Sequence, residues 1–262
     1  MTTTYPGDRR TATETLALTL TAAGQISAVG PQQRPLWTIT PVVIDTTAHG
    51  SLISSGLTST QRTEWTRRLD QASAAVSAAR VLADGTDWDG GLVVVVPANP
   101  ADFATVSGAN DADTAAVTSC DTGTPRIVIN PASFAQGDRW LTSTLTHEAV
   151  HVATDSACTS GALWVVEGMA ESVAAGADST TASANAALVK TYLAHSSLPT
   201  TLPATVASPT DYALAQLAAD QVRSHLAADA PAFFQRGLKD QLTTTDVTRA
   251  TAWYLAALRR LR

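Results

Sequence analysis

The sequence predicts an α+β fold, with a sheet-bearing N-terminal half and a helical C-terminal half. Three observations carry this expectation. Gly91-Leu-Val-Val-Val-Val-Pro97 is a continuous apolar run of strand length closed by Gly and Pro, as suits a strand buried on both faces. Other short β-like runs, bounded by turn residues, lie on either side of it. From about Asp138 the apolar residues recur at helical spacing almost to the C-terminus.

Taken in order, residues 1–13 are polar, contain Pro6 and Gly7, and read as a loose tail. Residues 1–35 as a whole read as a tail or small extra segment before a domain covering 36–262. Thr15–Thr21 alternates as a half-buried strand does, with a short helix as the competing reading. Pro31, Pro35 and Pro41 punctuate the next stretch, where Leu36–Thr40 and Val42–Thr46 are β-like. His49, beside Gly50, falls in a turn and is expected to face solvent.

Thr58 or Ser59 can cap a helix running to about Ala83, with Trp65, Leu69, Ala72, Val76, Ala79 and Leu82 on one face. Asp84 and Gly85 end it. Asn99 can cap a short helix over Pro100–Val106. Ala115–Cys120 and Pro125–Asn130 read as strands joined by the turn Asp121–Thr124. Helices follow at about Asp138–Thr154, Leu163–Ala175, Thr181–His195, Asp211–Ala228, Pro231–Leu242 and Asp246–Leu261. The Pro- and Ser-rich stretch Ser196–Pro209 interrupts them and reads as a flexible loop. The sheet half therefore spans about 36–154 and the helical half about 155–262.

Composition narrows the function classes. The chain has 262 residues, of which 45% are hydrophobic and 15% charged, enough for one large domain or two small ones with ample core. A net charge of −6 and the lack of a basic stripe argue against nucleic acid as a partner. No stretch approaches the ~20 apolar residues needed to span a bilayer. The N-terminus lacks the apolar run of a signal peptide, which fits a cytosolic chain or a mature form expressed without its leader. Cys120 and Cys158 suit either one disulfide or two buried thiols.

The chemistry concentrates between 145 and 171. His147 and His151 are four residues apart, so on a helix their rings leave one face a turn from each other. Two imidazoles so placed can hold one zinc ion, and Glu148 between them can reach a water on that ion as general base. A hydrolytic zinc wants a third protein ligand and an open position. Downstream, Trp164-Val-Val-Glu-Gly-Met-Ala-Glu171 places Glu167 and Glu171 on one face of a second helix. Three of the five glutamates thus fall between 148 and 171.

This combination resembles the gluzincin metallopeptidases, which pair H-E-x-x-H with a ligand in a W-x-x-E-G-x-A-E-like helix. The metzincin pattern does not fit, because Thr154 and Ala157 stand where it requires Gly and His. The resemblance implies a zincin-like fold with the motif helix between the two halves, and Zn2+ held by His147, His151 and Glu167. It implies hydrolysis of a peptide or protein substrate, with Glu148 taking a proton from water and passing it to the leaving amine. It also implies a secreted or cell-envelope enzyme, where Cys120 and Cys158 would be joined.

Supporting roles follow from position. Glu171 can orient His147 from the second shell of the metal; Asp155, four after His151, can act similarly, although a helix-end or surface role fits it better. An oxyanion needs a hydrogen-bond donor, and the resemblance implies a Tyr or His from the helical half; Tyr212 is favoured over Tyr192, His195 and His225 because it opens a helix after the loop. Thr124–Asn130 is expected to be the sheet edge that an extended substrate joins. Trp164 reads as core. Two alternatives remain: a zinc hydrolase of the same scaffold with a non-peptide substrate, and a non-catalytic binding module, against which Glu148 counts.

Overall fold

The computed structural model describes residues 1–30, 33–79, 88–109 and 113–262. These residues form two compact units, Met1–Ala74 with Trp88–Glu148, and Ala75–Asp87 with Ala149–Arg262. The expected mixture of helix and sheet is present. The division falls inside the motif helix at Glu148, a few residues before the expected boundary, and the second unit takes in the end of an earlier helix.

In the first unit, β1 (Thr2–Thr3) pairs with β2 (Ala12–Thr13), and β3 (Leu18–Leu20) with β4 (Ile26–Val29), each antiparallel. Then come β5 (Val43–Thr47), β6 (Gly50–Ser54), α1 (Ser59–Ala78), β7 (Leu92–Val96), α2 (Pro100–Ser107), β8 (Ala116–Ser119) and β9 (Arg126–Ile129). The main sheet has the order β5-β6-β7-β9-β8, with its two central pairings parallel and both edge pairings antiparallel. β7 lies at the centre with all five residues buried, as its unbroken valine run implies. Ile53, Val95 and Val128 stand in one row across β6, β7 and β9 and pack with Leu36, Val93 and Phe103.

Local chemistry accounts for the helices here. Thr58 accepts from the Gln61 backbone N–H at 3.3 Å, while the Gln61 side chain accepts from that of Thr58 at 2.9 Å. This reciprocal cap starts α1, which buries Trp65, Leu69, Ala72 and Val76. Its expected last turn, with Leu82, Ala83, Asp84 and Gly85, lies outside the described residues, as does Pro31. Asn99 caps α2 through the Asp102 N–H at 2.9 Å, and Gly108 closes it at φ 72°.

Several expectations need correction. Residues 1–13 are not a loose tail: β1 and β2 are tied down by Arg126, whose guanidinium donates to Asp8 and Glu14. β3 is shorter than the alternating Thr15–Thr21 segment and wholly exposed, so its alternation buries nothing. Leu36–Thr38 is a 3-10 turn, closed by the Thr38 hydroxyl donating to the Pro35 carbonyl at 2.8 Å, instead of a strand. β6 carries no strand signal in the sequence. The Thr124–Asn130 strand is internal, between β7 and β8, and the edge strands are β5 and β8. His49 is exposed, as its turn position suggests.

In the second unit, α3 (Asp138–Thr154) brings the motif in from the first. It is followed by α4 (Leu163–Ala177), α5 (Ser179–His195), α6 (Pro209–Leu226), α7 (Ala230–Leu238) and α8 (Thr244–Leu261). Capping boxes Ser208/Asp211 and Thr243/Asp246 start α6 and α8 slightly before the first periodic residues. The Ser196–Ser208 connection buries Leu202. α4 lies close against α6: a Cβ at Gly168 would stand 2.4 Å from the Ala215 carbonyl oxygen. Trp164 is core, 6.2 Å from Phe233 between ring centres. No helix among the described residues is long and apolar enough to cross a membrane.

Candidate metal centre

α3 carries both histidines because its apolar face holds it in place. Leu141, Leu145, Ala149, Val150 and Val152 are buried, leaving His147 and His151 on a shared stripe one turn apart. At Asp155 the backbone turns left-handed (φ 58°) and the helix ends. The 3-10 turn Ser156–Cys158 then folds the chain back. α4 follows and presents Glu167. His151 Nε2 and Glu167 Oε2 are 3.5 Å apart, and one ligand atom from each of His147, His151 and Glu167 lies within 4.8 Å of the others.

These distances suit a metal ion. Donors about 2.0–2.1 Å from a tetrahedral zinc stand roughly 3.3 Å apart, close to the His151–Glu167 separation. Two imidazoles and one carboxylate also form a donor set of the kind that leaves a fourth position open. His151 adds a further sign. Its Nδ1 lies 3.0 Å from the Ser156 hydroxyl in a buried contact, which leaves Nε2 on the Glu167 side. An Nδ1–H donating to Ser156 fixes the tautomer in which Nε2 offers its lone pair to a cation. Asp155 stands at the left-handed end of the helix, as its expected helix-end role implies, and the hydroxyl that faces His151 belongs to the next residue.

Glu148, 8% exposed, points its Oε2 at the Thr118 hydroxyl, which donates at 2.6 Å. Thr118 lies on the edge strand β8, so the candidate base is held against that edge. Nothing in the sequence pointed to Thr118.

Glu171 accepts a 2.6 Å hydrogen bond from Asn185 on α5. Asn185 also donates to Gln216 at 2.7 Å, and Gln216 to Asp220 at 3.2 Å, both on α6. Ser172 donates to the other Asp220 oxygen at 2.5 Å and accepts from Arg223 at 2.8 Å. Burial raises the Asp220 pKa despite these donors. A part-buried polar chain thus links Glu171 and Ser172 on α4 to Asn185 on α5 and to Gln216, Asp220 and Arg223 on α6.

Tyr212 sits half-buried in the first turn of α6, the helix packed on the one that carries Glu167. Tyr192 donates to the Ser197 carbonyl at 3.3 Å, His195 is exposed, and His225 is stacked on Trp253 at 4.7 Å. Neither cysteine is free: Cys120 and Cys158, the chain's two cysteines, are disulfide-bonded.

Compared with known proteins, the sequence matches no family model and no curated protein.

Proposed function

We propose that the chain is a zinc-dependent metallopeptidase of gluzincin type, with a zincin-like fold and an extracytoplasmic location. The observation that carries this reading is the convergence of His147, His151 and Glu167 ligand atoms within 4.8 Å. Those three residues hold the ion, and Glu171 orients His147. When bound, zinc polarises the scissile carbonyl and acidifies the attacking water.

The chain's own groups do the rest. Glu148, fixed by Thr118, takes the water's proton and delivers it to the leaving amine. Tyr212 donates to the developing oxyanion. An extended peptide or protein substrate adds to β8, the edge strand that carries Thr118. The Cys120–Cys158 bond is consistent with an oxidising compartment.

The test has two steps. Elemental analysis of protein purified without added metal is expected to find one zinc per chain. A fluorogenic peptide library is then expected to reveal cleavage that a chelator abolishes and zinc restores. A folded protein that takes up no zinc at micromolar concentrations ends the reading. Zinc binding without peptide cleavage turns it toward a non-peptide substrate.

A further inference from the structure

The two cysteines joined by the disulfide stand in matching positions beside the metal centre. Two residues before Cys120, the Thr118 hydroxyl donates to Glu148 at 2.6 Å. Two residues before Cys158, the Ser156 hydroxyl faces Nδ1 of His151 at 3.0 Å. The contacts therefore form a closed circuit. It leaves α3 at Glu148, passes through Thr118 to the end of β8, crosses the disulfide, and returns through Ser156 to α3 at His151.

The Ser156–Cys158 turn has little of its own to hold it in place. It is a single 3-10 turn, entered through Asp155 at φ 58°, a left-handed conformation uncommon for a residue with a Cβ. The Cys158 N–H donates to the Asp155 carbonyl at 3.0 Å and the Thr159 N–H to the Ser156 carbonyl at 3.3 Å. Those bonds close the turn on itself and say nothing to the imidazole. The disulfide supplies an outside anchor, since it keeps two Cα atoms about 4.4–6.8 Å apart. The anchor is also in register with the motif, because β8 is fixed to α3 by the Thr118–Glu148 hydrogen bond.

We propose that the Cys120–Cys158 bond is a positioning element of the metal centre. It ties the Ser156–Cys158 turn to the end of β8 and so keeps the Ser156 hydroxyl on Nδ1 of His151. The proton stays on Nδ1, and Nε2 keeps its lone pair for the ion. Loss of the bond then weakens metal binding beyond any loss of the fold stability that a cross-link supplies. The inference rests on the reading of His147, His151 and Glu167 as a zinc site, but the imidazole contact can be read without metal.

The test compares the whole chain with Cys120→Ser/Cys158→Ser. This variant keeps the Thr159 hydroxyl on the Leu238 carbonyl, a 3.1 Å contact at the end of the turn. Nitrogen NMR of the zinc-free proteins reads His151. Wild type is expected to hold one tautomer, protonated on Nδ1, and the serine pair a mixture. Chelator competition is expected to show zinc affinity lowered by about 10–100-fold in the serine pair. A double-mutant cycle tells positioning from general support. Ser156→Ala added to the serine pair is expected to cost less than about twofold more, whereas a bond that only stabilises the fold leaves the full Ser156→Ala loss in place. Wild type reduced with a phosphine and alkylated gives the same readings if the serine pair does not fold. A wild type that takes up no zinc ends the metallopeptidase reading, and the imidazole spectra alone then decide whether the bond positions His151. An unchanged tautomer, or losses from the bond and from Ser156→Ala that simply add, would overturn the proposal.

Discussion

The Thr118 hydroxyl donates a 2.6 Å hydrogen bond to Oε2 of Glu148, tying the edge strand of the sheet to the middle of the H-E-x-x-H motif. A carboxylate held in this way has one oxygen fixed and the other available for proton transfer. Glu148→Gln is expected to keep the metal and lose nearly all hydrolysis, because the amide cannot take a proton. Thr118→Val is expected to lower turnover by about tenfold through misorientation, with metal affinity unchanged. Turnover measured beside chelator competition separates the two, and full activity in either variant reassigns the base or its support.

Ser156→Ala removes the group that faces Nδ1 of His151. Loss of such an outer partner typically costs about 10–100-fold in metal affinity. Competition against a chelator of known affinity reads this directly. An unchanged affinity would mean that Ser156 does not orient the imidazole.

Glu167 and Glu171 are expected to behave differently although they lie one turn apart. Glu167→Ala removes a ligand and its charge and is expected to abolish stable zinc binding. Glu171→Ala removes an outer partner and is expected to leave weak, detectable binding, lowered by about 10–100-fold. Asn185→Leu removes one hydrogen bond to the Glu171 carboxylate and is expected to fall between Glu171→Ala and wild type. If Glu171→Ala proves more damaging than Glu167→Ala, the ligand assignment is reversed.

The helix that carries the motif also has a pH-sensitive anchor at its start. Asp138 accepts from Arg67 and Arg68 on α1 at 2.9 and 2.8 Å. Burial works against its ionisation, but the hydrogen bond and charge of Arg68, with those of Arg67, prevail and hold its pKa below the ordinary value. A lowered folded-state pKa contributes stability above the unfolded value, and that contribution is lost as pH falls through the folded one. Asp138→Asn is therefore expected to cost about 1 kcal/mol at neutral pH, a modest figure because Asp138 is largely exposed. Denaturant melts of both proteins should converge as the pH drops below the ordinary aspartate range. A constant gap would assign the effect to packing.

The Cys120–Cys158 bond is expected to appear as a mass that changes only when reduction precedes alkylation. Alkylation of unreduced, secreted material at two thiols would contradict it.

What the sequence disclosed depended on the range of each signal. β7 was legible because a strand buried on both faces needs only its own valines to declare it. α3 and its two histidines were legible because helical spacing is local. β6 was not: Ser51 and Ser54 are buried polar residues, and Ser51 finds its partner at the Pro6 carbonyl, far off in the chain. Which strand forms the edge depends on pairings between distant segments, so β9 was mistaken for β8. Ser156 was missed because the chain turns left-handed at Asp155, and beyond that point helical spacing no longer says which side chain faces His151. Thr118 and Asn185 reach their carboxylates from other elements, and no spacing within one element records that.

Gly168 has a bearing on metal binding that its chemistry does not suggest. The α6 backbone passes where its side chain would be, so the glycine sets how deeply α4 can settle. The carboxylate one residue earlier inherits that depth. A methyl group at 168 would change no charge and offer no ligand atom, yet it is expected to shift the Glu167 carboxylate relative to His151. Random substitutions screened for zinc retention would thus return Gly168 among the metal-holding residues, although it has no side-chain atom that could coordinate anything. Beside the group that reaches for the ion, the sequence carries the spacer that fixes how far it has to reach.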